Sequence, residues 1–189
     1  SEHKGLGFTY IGTLSKSKSV ILKNLSETLK QENMDCSIVD NIEDYIWLKA
    51  IVNSAINPIA ALAEVKNGHL KNPELNEELM NLCNESSTIA KSNGIKLRFF
   101  LKEKINKIID KTSDNKCSML QDLENNRETE IDAINGELVR IARKLSVKCN
   151  YNKQVVSEIS KISIKQTYYW LCNYIILAKS GKSKYIQIS

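Results

Sequence analysis

The chain has 189 residues, of which 42% are hydrophobic and 26% are charged, a balance that is typical of a globular domain and excludes wholesale disorder. The net charge of +5 is uneven: residues 1–142 carry 18 basic and 21 acidic side chains (net −3), whereas residues 143–189 carry 9 and 1 (net +8). Seven glycines and two prolines are too few for the turns of a many-stranded β fold, so a mainly α chain is predicted.

Several classes of partner and site are not expected. No window holds the ~18 apolar residues of a membrane span, and the first residues do not form a signal peptide. Five widely spaced cysteines without a C-x-x-C pair, and two histidines, predict neither disulfides nor a metal site and favour the cytoplasm. Aromatic residues do not alternate with a basic stripe, so no nucleic-acid partner is expected. The basic C-terminal quarter is interpreted as a solvated surface, with an anionic partner as the alternative.

The first 41 residues predict a strand at 6–12, a helix at 19–31 and a second strand at 36–39. One or two strands cannot bury both faces of a sheet, so residues 1–41 are predicted to be the last part of a larger α/β domain.

Residues 42–180 predict a helical domain, and residues 181–189 a tail. Pro58 is expected to kink or end the first helix, and Gly94 to end a later one. Asn72, Thr129 and Asn152 are the expected caps. The predicted helices are 43–56, 59–66, 73–92, 98–111, 118–125, 130–145, a helix from the Asn152 cap to 162, and 164–179.

Lys49, Asn53 and Asn57 follow one another at four-residue steps on an otherwise apolar helix. Four residues are about one turn, so the three side chains lie on one face. One interpretation is a narrow wet strip on the helix. The other is a polar wall of a substrate cleft, in which a partly desolvated lysine acts as a general acid.

Ser118 and Glu130 stand at two predicted helix starts. The N–H groups of such a terminus suit a carboxylate or phosphate, and the helix dipole favours an ionised Glu130. Plain capping with solvated acids is the alternative interpretation.

Together these segments resemble ketopantoate reductase (2-dehydropantoate 2-reductase). The resemblance covers residues 5 to about 163, and GLGFTYIG at 5–12 is similar to a late strand of that family's cofactor domain. Its motifs are Trp47-x-Lys49-x-x-x-Asn53-x-x-x-Asn57-Pro58-x-x-Ala61-Leu62, then Asn67-Gly68, then Ser118-Met119-x-x-Asp122, then TEIDAING at 129–136.

The resemblance implies a helical bundle of the 6-phosphogluconate dehydrogenase C-terminal-like type, preceded by the remnant of a Rossmann-type NADP-binding domain. The cofactor-binding residues are then unknown, because the glycine-rich fingerprint is absent from this sequence. The expected cofactor is NADPH, with NAD as the open alternative. The expected partners are 2-dehydropantoate and pantoate, and a second copy of the chain through the helical domain.

Residue by residue, the resemblance implies that Lys49 is the catalytic general acid and that Glu130 binds the substrate hydroxyl and orients the lysine. It also implies that the substrate is bound by Asn53, Asn57, Asn67 and Ser118. The predicted function is a fragment of a reductase of pantothenate and coenzyme A biosynthesis, with little activity alone. The alternatives are a reductase of another branched 2-keto acid and a non-catalytic helical dimerisation module.

Overall fold

The computed structural model describes residues 8–14, 20–98 and 100–162. Its first elements are strand β1 (Thr9–Ile11), helix α1 (Val20–Gln31) and strand β2 (Cys36–Ile38). The strands are parallel, with Thr9 opposite Cys36 and Ile11 opposite Ile38. Parallel neighbours need a crossover connection, which α1 supplies. The predicted order of strand, helix and strand is therefore confirmed.

The remainder of the described chain is helical, which confirms the mainly α fold class. It contains α2 (Ile42–Leu62), a 3-10 helix (Asn67–Lys71), α3 (Pro73–Ser92), α4 (Leu101–Lys111), α5 (Ser118–Glu124), a π-helix (Asp132–Gly136), α6 (Glu137–Lys144) and α7 (residues 150–162).

Helix α2 is the centre of the helical part. Every residue from Ser54 to Ala61 is buried, because this stretch is apolar around most of its circumference. It packs against α3 and α5, and its first turn lies close to β1. The core around it also takes fully buried leucine and isoleucine side chains from the neighbouring elements: Leu70, Leu79, Leu82, Ile105, Ile109 and Ile159. α2 is thus held from several sides along its C-terminal half.

Of the two effects expected of Pro58, a kink or a helix end, the end is wrong, because α2 runs through Pro58 to Leu62. A proline inside a helix has no N–H for the carbonyl four residues earlier, here that of Ser54. The Asn135 amide supplies the missing donor, with Nδ2 2.8 Å from the Ser54 oxygen. A residue 81 positions away in sequence therefore satisfies the backbone group that the proline leaves open.

The start of α7 also differs from the expectation. Asn152 is not its cap but lies inside the helix, which begins at residue 150. The cap is the carboxylate of Glu85 on α3, which accepts from the N–H groups of Asn150 (2.6 Å), Tyr151 (3.1 Å) and Asn152 (2.8 Å). Burial, and then the nearby Glu85 carboxylate, raise the pKa of the Cys149 thiol to about 12, so this thiol stays neutral beside the cap. A carboxylate at a helix N-terminus matches the dipole and satisfies its open donors.

Truncating Glu85 is expected to destabilise the domain. The Glu85→Ala change leaves the three N–H groups of α7 without their acceptor, at a cost of about 2 kcal/mol. Urea denaturation followed by circular dichroism measures the loss, with Glu77→Ala on an exposed position of the same helix as the control. Equal stability of the two variants would show that α7 needs no cap from α3.

Two further helix starts and one helix end can be compared with the sequence-based expectations. Pro73 is the first residue of α3, as predicted, but the Asn72 side chain makes no capping bond. The helix expected from Glu130 begins as a π-helix at Asp132, after one helical residue at Ile131. Gly94 has φ +85° just beyond α3, the left-handed conformation expected of a helix-ending glycine.

The predicted helix at 164–179 and the tail at 181–189 lie outside the described residues. The division into residues 1–41 and 42–180 stays a prediction. Within residues 8–14, 20–98 and 100–162, no helix is both long enough and apolar enough to cross a membrane.

Candidate active site

The three polar residues of α2 form a row that passes from the surface into the core. Lys49 is exposed, Asn53 is half-buried and Asn57 is only 6% exposed. The spacing of four residues moves each side chain about 6 Å along the helix. Their side chains make no hydrogen bond within the described part of the chain. The row therefore presents one ammonium and two amides, but burial of Lys49 by the described residues, which the cleft interpretation expected, is not seen.

The start of α5 lies against the deep end of this row. Cys117, the residue before Ser118, donates its thiol to the Asn57 carbonyl oxygen at 3.5 Å and accepts from the N–H of Leu120 at 3.4 Å. Burial raises the pKa of the Cys117 thiol, so it remains a neutral donor. Ser118 is the first residue of α5, as predicted, and its exposed hydroxyl follows directly after this contact.

Asn67 has a structural contact that the sequence did not indicate. Its Nδ2 donates to the Thr112 hydroxyl at 3.0 Å, and its backbone N–H donates to the Asn115 carbonyl at 3.0 Å. Gly68 comes so close to the same loop that a Cβ there would lie 3.0 Å from the Ser113 oxygen. The donor side of the Asn67 amide thus joins the 3-10 helix to the end of α4. Its Oδ1 is buried without a partner among the described residues.

Glu130 stands immediately before the helix that follows α5. Its side chain is exposed, and its carbonyl accepts from the N–H of Ile134 at 3.0 Å. Ile131, the next residue, is buried in the core that contains α2. Asn135, five residues after Glu130, is bonded to Ser54, the neighbour of Asn53. The contacts therefore fasten the segments of Ser118 and Glu130 to the same stretch of α2.

The sequence analysis gave Asn135 and Asn152 no part in the site, and both are fully buried. Asn135 Nδ2 also donates to Asn152 Oδ1 at 2.9 Å, and Asn152 Nδ2 donates to Glu85 Oε1 at 2.9 Å. The signal that points to Asn135 is Pro58, because an interior proline requires a donor for the carbonyl four residues before it. No sequence signal names which donor that is.

The site has the groups that hold and protonate a small polar anion. An ammonium stabilises negative charge and gives up a proton, and amides and a hydroxyl bind carboxylate, keto and hydroxyl oxygens. The carboxylate of Glu130 accepts from a hydroxyl or pairs with an ammonium. A reaction that places negative charge on a substrate oxygen requires groups of these kinds.

The fold is shared with solved reductases and dehydrogenases. A PanE/ApbA family ketopantoate reductase from Ralstonia eutropha JMP134 has the same fold, with a TM-score of 0.77 and 25% identity over 87% of this chain and 54% of that one. A D-mandelate dehydrogenase, solved with NADH and anilino(oxo)acetate, gives a TM-score of 0.79 at 24% identity, covering 88% of this chain and 70% of that one.

The family model described as "Ketopantoate reductase PanE/ApbA C terminal" matches residues 41–163, and the chain belongs to this family. A relative from Archaeoglobus fulgidus, named 2-dehydropantoate 2-reductase, is 34% identical over 156 residues, which are 82% of this chain and 52% of the relative. The chain therefore spans about half the length of this curated relative. The resemblance stated from the sequence motifs is confirmed.

Proposed function

We propose that this chain forms the keto-acid side of a reductase active site that converts 2-dehydropantoate to pantoate with NADPH. The observation that carries the proposal is the row of Lys49, Asn53 and Asn57 on a helix that is otherwise largely buried, with the segments of Ser118 and Glu130 fastened beside it. The Archaeoglobus fulgidus relative, which is named for this reaction, supports the same choice of substrate.

We assign the described polar residues to the keto acid and not to the dinucleotide. A Rossmann-type domain holds the cofactor pyrophosphate on a glycine-rich turn after its first strand. Gly12 follows β1, but a Cβ there would lie 2.8 Å from the Ile42 Cβ and 2.9 Å from the Val39 oxygen. This glycine serves close packing against the first residue of α2 and does not form a phosphate cradle. NADPH, as the family implies, is the reductant we propose, and NAD is the alternative.

The chemical task proposed for this chain is to stabilise negative charge on the substrate oxygen and to protonate that oxygen. Reduction of a ketone builds negative charge on the carbonyl oxygen and ends with a proton there. Lys49 is the group proposed to stabilise that charge and donate the proton. Its side chain is exposed, so water is the proposed source of the proton for the next turnover.

The remaining residues hold the substrate. Asn53 and Asn57 lie deeper along the same face and offer amide donors to the carboxylate and keto oxygens. Ser118 adds a hydroxyl at the start of α5. Glu130 is proposed to accept from the substrate hydroxyl and to orient Lys49. Asn67 remains a proposed substrate contact on the family resemblance alone, because its Nδ2 is bonded to Thr112 and its Oδ1 is buried.

The direct test joins the full chain to the amino-terminal half of the Archaeoglobus fulgidus relative, a protein called the completed enzyme below. We expect NADPH consumption with 2-dehydropantoate by the completed enzyme and none by the chain alone. An unbranched 2-keto acid tests the choice of substrate in the same assay. Calorimetric titration of the chain with pantoate tests binding independently. An inactive completed enzyme together with no pantoate binding would contradict the proposal.

A further inference from the structure

The π-helix after Glu130 is hydrogen-bonded, on its buried side, to the α2 carbonyl that Pro58 leaves without a helical donor. Asn135, the fourth residue of the π-helix, is fully buried. Its Nδ2 donates to the Ser54 carbonyl, which Pro58 leaves without its helical donor, and to Asn152 Oδ1 on α7. One amide thus joins the π-helix to both α2 and α7.

The same π-helix is held from the outside by Arg140 on α6. The Arg140 guanidinium donates to the Asp132 backbone carbonyl at 3.0 Å and to its carboxylate at 3.2 Å. It also donates to Glu137 at 2.6 Å. A Cβ at Gly136 would overlap the Asp132 carboxylate, so glycine leaves room for this arrangement. The contacts of Asn135 and those of Arg140 therefore hold the same turn of five residues.

A π-helix has one extra residue in its turn compared with an α-helix. One residue corresponds to about 100° of rotation around the helix axis. The residues before the turn therefore face a direction that depends on whether the π-helix persists. Glu130 lies two positions before Asp132, the first residue of the π-helix, and its carbonyl accepts from the N–H of Ile134 within it. The direction of the Glu130 side chain is thereby coupled to the π-helix.

We propose that Asn135 is a positioning residue, which acts by keeping the π-helix in register so that the Glu130 carboxylate faces the Lys49 row of α2. Arg140 supports the same register from the surface. The inference rests on the proposed function, because it assigns a task to the Glu130 carboxylate in that reaction. The inference goes beyond the proposed function because it names a buried residue that does not touch the substrate.

A double-mutant cycle in the completed enzyme tests the proposal. We expect Asn135→Ala to lower kcat by about 10²-fold through misplacement of Glu130, with a much smaller change in KM. Glu130→Ala is measured alone and combined with Asn135→Ala. If Asn135 acts through Glu130, the double variant has the kcat of Glu130→Ala alone. Independent, multiplying losses would overturn the proposal.

Because Asn135→Ala removes a buried amide, an exposed second variant guards against loss of the fold. Arg140→Ala removes the outer contact from a side chain that is about half exposed, and is expected to lower kcat about threefold to fivefold without changing the unfolding midpoint. Arg143→Ala on the same helix removes an equal charge that has no ion pair among the described residues, and is expected to leave kcat unchanged. Equal kcat values for these two variants and the unaltered enzyme would contradict the proposal.

The two proposals fail in different ways. A completed enzyme that does not reduce 2-dehydropantoate, from a chain that does not bind pantoate, contradicts the proposed function and this inference together. An active completed enzyme in which Asn135→Ala and Glu130→Ala multiply contradicts this inference alone. In that case Asn135 would serve only the stability of α2 at Pro58.

Discussion

Replacing Lys49 by alanine is expected to lower kcat of the completed enzyme by about 10²–10⁴-fold, the range for loss of a positioned general acid. Lys49 is exposed and takes no part in the core, so the variant is expected to unfold at the same urea concentration as the unaltered protein. NADPH consumption with 2-dehydropantoate measures the first quantity, and circular dichroism the second. Lys66→Ala, at another exposed lysine, is the matched control.

A second change at the same position separates charge from proton donation. Lys49→Arg keeps the positive charge, but an arginine side chain does not give up its proton in a protein. We expect this variant to recover little of the lost kcat. Full recovery would show that the positive charge alone is required, and a Lys49→Ala enzyme that retains its kcat would contradict the assignment of Lys49.

Leu79→Ala is expected to destabilise the helical part by about 2–5 kcal/mol. Leu79 is completely buried on α3 and belongs to the core that surrounds α2, so the truncation leaves a cavity beside the helix that carries the site. The midpoint of urea denaturation measures this effect. Leu145→Ala, at a position that is 38% exposed, removes the same atoms where no closed cavity results and is expected to cost much less.

The two leucine variants also test whether α2 is a rigid support. If α2 is held by α3, pantoate binding by Leu79→Ala should weaken as urea is raised, well before the same happens in Leu145→Ala. Equal unfolding midpoints for the two variants would contradict the packing of α3 on α2.

Local sequence patterns were sufficient to predict most of the elements. The order of strand, helix and strand in the first part, α3 from Pro73 to Ser92, and Ser118 as the first residue of α5 all agree with the structure. These features depend on apolar periodicity, proline at the first helical turn and glycine after the last, which act over a few residues. The family motifs likewise carried the assignment that the family comparison confirms.

Long-range contacts decided what these local rules could not. α2 continues through Pro58 because Asn135 donates to the freed Ser54 carbonyl, and α7 begins at residue 150 because Glu85 of α3 accepts its first N–H groups. Both partners are more than 60 positions away in the chain, where propensity and capping rules have no reach.

By itself, then, the sequence determined the fold class, the row of polar residues on α2 and the motifs of the family. The tertiary structure alone decided how that row varies in exposure, which donor completes α2, and that the Asn67 amide braces the end of α4. The reason is physical: a helix forms from neighbouring residues, whereas a buried polar group is satisfied by whichever partner the packing brings to it.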